Sequence, residues 1–204
     1  MACWSDKGRV RDLPAKAAST ELQVRRHKFL KSSDEYADTT RLLNRHMPID
    51  TSKVTGRRPL IFNTLDEVID DVDYLCQGNV RSLGNWSPGQ NLDHLTILML
   101  GCLDGIDVKV PILTRTAVKF MRGRILSKQM SPGLRLPKAA AVLLPSETTW
   151  EEGVREIRKA LNRMKTETQR HAHPVLGTLR REQWDQLHCR HCELHLSFLV
   201  TDTS

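Results

Sequence analysis

The chain has no run of 18 apolar residues, so no segment of it reads as a membrane-spanning helix. Its five cysteines are an odd number, scattered singly or set on predicted helices, and do not make a disulfide framework. Reduced thiols and a cytoplasmic location are the expectation. Arg25-Arg26-His27-Lys28-Phe29-Leu30-Lys31 has the paired arginines of an export signal, but the polar Ser32-Ser33-Asp34-Glu35-Tyr36 follows it. With no apolar core after the arginines, export is not expected. A basic domain is missing too, despite a formal charge of +7. Residues 1–60 hold 13 Lys/Arg and 7 Asp/Glu, which leaves 18 basic against 17 acidic residues for the rest. The positive charge therefore belongs to an N-terminal arm, and a nucleic-acid partner is not expected for the domain. No convincing pair of strands is visible either.

What is present is helical. A chain of 204 residues with 39% hydrophobic content can bury one good core. Residues 1–56 are polar, basic and weakly periodic, and read as a flexible arm with a turn of helix around residues 34–45. The domain proper is residues 57–204. Arg57-Arg58-Pro59-Leu60-Ile61-Phe62 reads as an extended lead-in. Thr64 and Glu67 then make a capping box, Leu65, Val68, Ile69, Val72, Leu75 and Cys76 mark one helix face, and Gly78 ends it. Ser87-Pro88-Gly89-Gln90 opens a second helix with an N-cap, a proline at the first helical position and a capping-box glutamine. That helix runs through Leu92, Leu95, Met99, Cys102 and Leu103 to Gly105. Residues 111–128, rich in cations, read as a helical connection, and the prolines of residues 131–145 demand a loop with a short turn of helix at 138–144. Thr149 and Glu152 form a third box ahead of Val154, Ile157, Leu161 and Met164. His171 and His173 fall in a Pro-terminated loop.

The last helix carries the chemistry. Three of the eight histidines, His188, His191 and His195, lie in one short segment, residues 184–199, with no Gly or Pro. Trp184, Leu187, Leu194 and Phe198 recur at helical steps, with His191 where an apolar residue is due. On a helix of ~100° per residue the three imidazoles fall within about 60° of one another, and His191 and His195, at i and i+4, can converge on one ion. A core-facing imidazole pair is costly unless its nitrogens are occupied. In an all-α four-helix bundle, ligand sites form from side chains on facing helices. His94, on the second helix, completes a three-nitrogen set with His191 and His195. Three protein ligands and an open position suit a catalytic metal, whereas a structural zinc site closes with a fourth ligand. The ion is divalent, with zinc, nickel and iron all suited to imidazole.

An early histidine on the second helix followed by His191-x-x-x-His195 on the last resembles the DinB/YfiT-like superfamily of metal-binding four-helix bundles. Arg58-Pro59-Leu60-Ile61-Phe62, Leu83-Gly84-Asn85-Trp86-Ser87-Pro88-Gly89-Gln90 with Asp93-His94-Leu95, and Leu187-His188 through His195-Leu196-Ser197-Phe198-Leu199 look closer to a branch of it with no assigned function. The resemblance spans residues 57–200. It implies His94, His191 and His195 as metal ligands, a homodimer, and a transferase or isomerase that uses a low-molecular-weight thiol. Phe198 stands where many members have a glutamine, which weakens direct transfer of their chemistry.

Three residues have competing readings. His188 is a candidate fourth ligand, a candidate proton carrier near the open position, or a hydrogen-bonded histidine. Glu193 points to the opposite side of the helix from the histidine pair and is not expected to act as a base. Cys189-Arg190-His191-Cys192 is a C-x-x-C, but a zinc ribbon needs a second one and a redox pair sits at a helix start. These cysteines read as packing residues. Two functions remain: a metal-dependent transferase or hydrolase acting on a small molecule, and a non-catalytic bundle that binds a partner through its basic arm.

Overall fold

The computed structural model describes residues 48–202, except 107, 109, 111–114, 116, 117, 119 and 134–137. Residues Ile49–Ser204 form one unit, and the description is of that unit. The expected helix at residues 34–45 lies outside the described residues, as does most of the expected arm. Its last part is described: Thr51–Lys53 is a turn of 3-10 helix capped by Asp50, whose carboxylate accepts from Ser52 N–H. Ile49 and the Asn85 side chain exchange two hydrogen bonds, of 2.7 and 2.9 Å.

Five α-helices and two strands make up the described secondary structure: α1 (Leu65–Leu75), β1 (Asn79–Ser82), α2 (Pro88–Asp104), α3 (Arg122–Ser127), α4 (Trp150–Thr166), α5 (Arg181–Leu196) and β2 (Leu199–Asp202). The protein is thus mostly helical with a small two-stranded sheet. The caps explain the helix starts. At Ser87/Gln90 and Thr149/Glu152 both halves of the box form, with bonds of 2.9 to 3.2 Å. At α1 only one half forms. Thr64 accepts from Glu67 N–H, while Glu67 reaches past it to Asn63 N–H at 2.7 Å. Of the helical connection expected at 111–128, the described helix is α3, and the expected turn at 138–144 is 3-10, Lys138–Leu143.

The four longer helices share one core. Val68, Val72 and Leu75 of α1, Leu92, Leu95 and Met99 of α2, Ile157, Leu161 and Met164 of α4 and Leu196 of α5 are all buried. Each such side chain contributes about 1.5–3 kcal/mol on leaving water. Helices α2 and α4 pack closely where two glycines face the contact. A Cβ on Gly89 would overlap the Thr148 and Thr149 carbonyls, and one on Gly153 would press on Leu92 and the Gly89 carbonyl.

The sheet corrects the expectation of a chain without strands. β1 and β2 pair antiparallel, Asn79 opposite Asp202 and Ser82 opposite Leu199. Four residues are too short for an alternating pattern to register, and the partners lie far apart in the chain. The same pairing shortens the last helix. The apolar pattern runs on to residue 199, yet α5 ends at Leu196 with Ser197 as its C-cap, because the β-branched Val200 and Thr201 are taken up by β1. The chain end is held by two arginines of the lead-in. Arg58 donates to the Leu199 carbonyl at 2.6 Å and the Leu196 carbonyl at 3.1 Å while pairing with both carboxylate oxygens of Asp71 at 2.6 and 2.7 Å. Arg57 donates to Ser197 Oγ. Cations at a helix C-terminus also complement its dipole. Gly78 follows α1 as expected, but its φ is not left-handed: a Cβ there would run into Thr201 Oγ1 and the Asp202 carbonyl of β2. The sheet, and not the helix end, requires glycine.

Candidate metal centre

His94 sits on the second turn of α2, and His191 and His195 on the last two turns of α5. The two helices bring the three imidazoles together. Ring centroids are 4.7 Å apart for His94 and His195, 4.6 Å for His191 and His195, and 5.1 Å for His94 and His191. One ligand atom from each lies within 4.8 Å of the others. In a tetrahedral site with nitrogens at 2.0–2.1 Å from the ion the nitrogens stand about 3.3 Å apart. Small ring rotations therefore close the set, and the three histidines could hold a metal ion.

The surroundings prepare two of the rings. His94 Nδ1 lies 2.6 Å from the Leu143 carbonyl oxygen. A carbonyl only accepts, so this nitrogen carries the proton and Nε2 carries the lone pair. His195 Nδ1 lies 3.3 Å from Asn91 Oδ1. The Asn91 amide nitrogen donates to the Trp86 and Ser87 carbonyls at 3.3 and 3.0 Å, which fixes the amide so that its oxygen faces His195. His195 is thus also held as the Nδ1–H tautomer. Such an outer hydrogen bond orients a ligand histidine and raises its basicity. The Trp86 ring stacks on His195 at 5.4 Å, 11° from parallel, and lies 4.8 Å from His94. The same α2 turns hold the loop that supplies the Leu143 carbonyl: Asp93 accepts from Ser146 N–H at 2.7 Å, and Gln90 donates to Glu147 at 3.1 Å.

Burial sets the charge state. His191 is held well below the usual histidine range, first by burial and then by His195, His94 and more distant imidazoles. His195 is likewise depressed by burial, then by His94 and Arg57. Both rings are neutral at pH 7, the form that ligates.

His188 stands outside this convergent set. Its ring is buried and stacked on Trp184 at 5.5 Å, and burial, with Arg170 and His173, pushes its pKa down to about 3. Its Nε2 has no hydrogen-bond partner among the described residues. Glu193 faces away from the centre. It accepts from Phe62 N–H at 2.6 Å and pairs with Arg190 at 2.8 Å, and Arg190 also donates to the Phe62 carbonyl. The two side chains grip both backbone groups of one lead-in residue. Cys189 and Cys192 are buried, and burial raises the first to about 11 and the second well above the usual thiol range. They stay protonated thiols at neutral pH and fill space.

The chain belongs to the family described as protein of unknown function (DUF1569), whose model matches residues 54–202. No curated protein and no solved structure matches it. The family match includes the lead-in, both histidine-bearing helices and β2. Among the described residues no helix is long and apolar enough to cross a membrane.

Sequence reading did not single out Asn91, Trp86 or Leu143. Asn91 left a trace, since a poor helix former inside an apolar stripe suggests a side chain with a partner. Leu143 acts through its backbone and left none.

Proposed function

We propose that this protein is a metal-dependent enzyme of the DinB/YfiT-like four-helix-bundle type, with His94, His191 and His195 as the ligands of one divalent ion. The observation that carries the reading is the convergence of three imidazoles, one buried and two half-buried, with His94 and His195 held by outer hydrogen bonds as Nδ1–H tautomers and His191 and His195 kept neutral. Core histidines that served packing alone would not need their nitrogens gathered at one point. When bound, zinc, nickel or iron supplies Lewis acidity that lowers the pKa of a coordinated thiol or water. The protein residues do the rest. Leu143 and Asn91 orient two ligand rings, and Trp86 covers one side of the pair and limits water there. His188, one turn before His191, is the candidate proton carrier near the open position. The substrate is a small molecule, the cosubstrate a low-molecular-weight thiol or water, and the working unit a homodimer.

The test is metal content. Natively purified protein should carry about one ion per chain, and His94→Ala and His191→Ala should each lose it. Stoichiometric metal in either variant would exclude that residue as a ligand. Absence of metal from the wild type after reconstitution would favour the other reading, a non-catalytic bundle that acts through its basic N-terminal arm.

A further inference from the structure

A second candidate site lies on a different face of α5. A cavity of about 190 Å³, partly open to solvent, separates the lead-in from the last turn of α5 and residues 129–130. At ~30 Å³ for each water it has room for about six waters, or a small organic molecule of similar volume. Pro59, Leu60, Met130 and Leu194 give it apolar walls, and Arg57, Arg58, Gln129, Glu193 and Ser197 supply the polar ones. By helical geometry Glu193 and Ser197 turn away from the face that carries His191 and His195, and none of the three histidines lines this cavity.

The charges in its wall do not cancel. Glu193 is matched by Arg190 and by Phe62 N–H. Arg58 is matched by both oxygens of Asp71. Of the ionised wall residues, Arg57 alone has no carboxylate partner among the described residues. Its Nε and Nη2 donate to the neutral Ser197 Oγ at 3.0 and 2.7 Å, and its Nη1 has no acceptor among the described residues. The guanidinium is held in place: it lies 4.4 Å over the Phe198 ring, and Ser197 Oγ is itself fixed by donating to the Leu194 carbonyl at 2.7 Å. A preorganised, unpaired guanidinium beside an apolar wall matches a ligand with one carboxylate and a short hydrocarbon part.

We infer that this cavity binds a small aliphatic monocarboxylate, with its carboxylate on Arg57 and its chain against Leu60, Met130 and Leu194. The assignment does not depend on a metal at the three histidines. The probes are hexanoate and its neutral counterpart hexan-1-ol, titrated into the full-length protein while the methyl resonances of Leu60, Met130 and Leu194 are followed by NMR. Hexanoate should shift these methyls saturably, and hexanol should bind about tenfold more weakly, the difference one charge-assisted hydrogen bond supplies. Arg57→Gln should lose about the same tenfold for hexanoate and nothing for hexanol, and Arg57→Lys should keep most of the affinity. Leu194→Trp, which fills the cavity without touching the charge, should abolish both. No methyl shift up to about 20 mM hexanoate, equal binding of hexanol, or unchanged affinity in Arg57→Gln would each overturn the inference. The hexanol comparison is made on the wild type, so it stands even if the arginine variants fail to fold.

Discussion

Helix α5 contributes to two histidine groups, and they solve the same problem differently. Toward its C-terminus His191 and His195 meet His94 with their nitrogens converging. Toward its N-terminus His188 stacks on Trp184, and Trp184 lies 5.4 Å from His173. Burial lowers the pKa in both groups, so a depressed histidine does not by itself mark a metal site. What separates them is where the nitrogens go. His173 Nδ1 accepts two backbone N–H groups, of Val175 and Leu176, each at 3.0 Å. It closes a turn that is also pinned by paired backbone bonds between His173 and Gly177. At this end the rings stack, and His173 also closes a loop. At the other end the outer nitrogens of His94 and His195 face acceptors, and the inner ones gather.

The sharpest way to break this contrast is to exchange the fates of the two groups. His195→Ala should remove nearly all bound metal, whereas His188→Ala should leave metal content unchanged and only reduce stability. Elemental analysis of both purified variants decides it. Metal lost equally from both would make His188 part of the site and erase the distinction.

A smaller effect tests the outer shell. Asn91→Ala should weaken metal affinity by about 10- to 100-fold without abolishing it. In metal-free wild type, long-range ¹H–¹⁵N correlation should find His195 as the Nδ1–H tautomer, and in Asn91→Ala it should shift toward Nε2–H. An unchanged tautomer would mean that Asn91 only supports the start of α2.

The smallest effect concerns the loop end. Burial lowers His173 to about 4 from an ordinary value of 6.5. Between those values the unfolded chain binds the proton and the folded chain does not, so stability is full above about pH 6.5 and falls as the pH drops toward 4. His173→Asn keeps an acceptor for the two N–H groups but cannot titrate. In urea unfolding of metal-free protein, this variant should lose less stability than wild type between pH 7 and 4.5, by on the order of 2 kcal/mol. Equal losses would show that His173 is not held neutral by the fold.

Much of this was legible in the residues. The capping boxes at Ser87 and Thr149, the apolar stripes of α1, α2 and α4, and the i, i+4 pair His191/His195 are local patterns, set by side chains a turn apart. The arginine pair of the lead-in was visible only as an extended segment, and its grip on the end of α5 joins residues 138 to 141 positions apart. The strand pair was missed for the same reason, since each strand alone is too short to announce itself. Asn91 was passed over because its role depends on which helix faces it.

By itself the sequence determined the starts of the helices, their buried faces and the pairing of two histidines on one turn of α5, because these depend on near neighbours and on a 3.6-residue period. Only the tertiary structure decided that His94 meets that pair, that a backbone carbonyl and Asn91 fix the tautomers, and that His188 stacks away from them. Those outcomes depend on the close crossing of helices distant in sequence. A hydrogen bond between such partners exists only once both helices are packed.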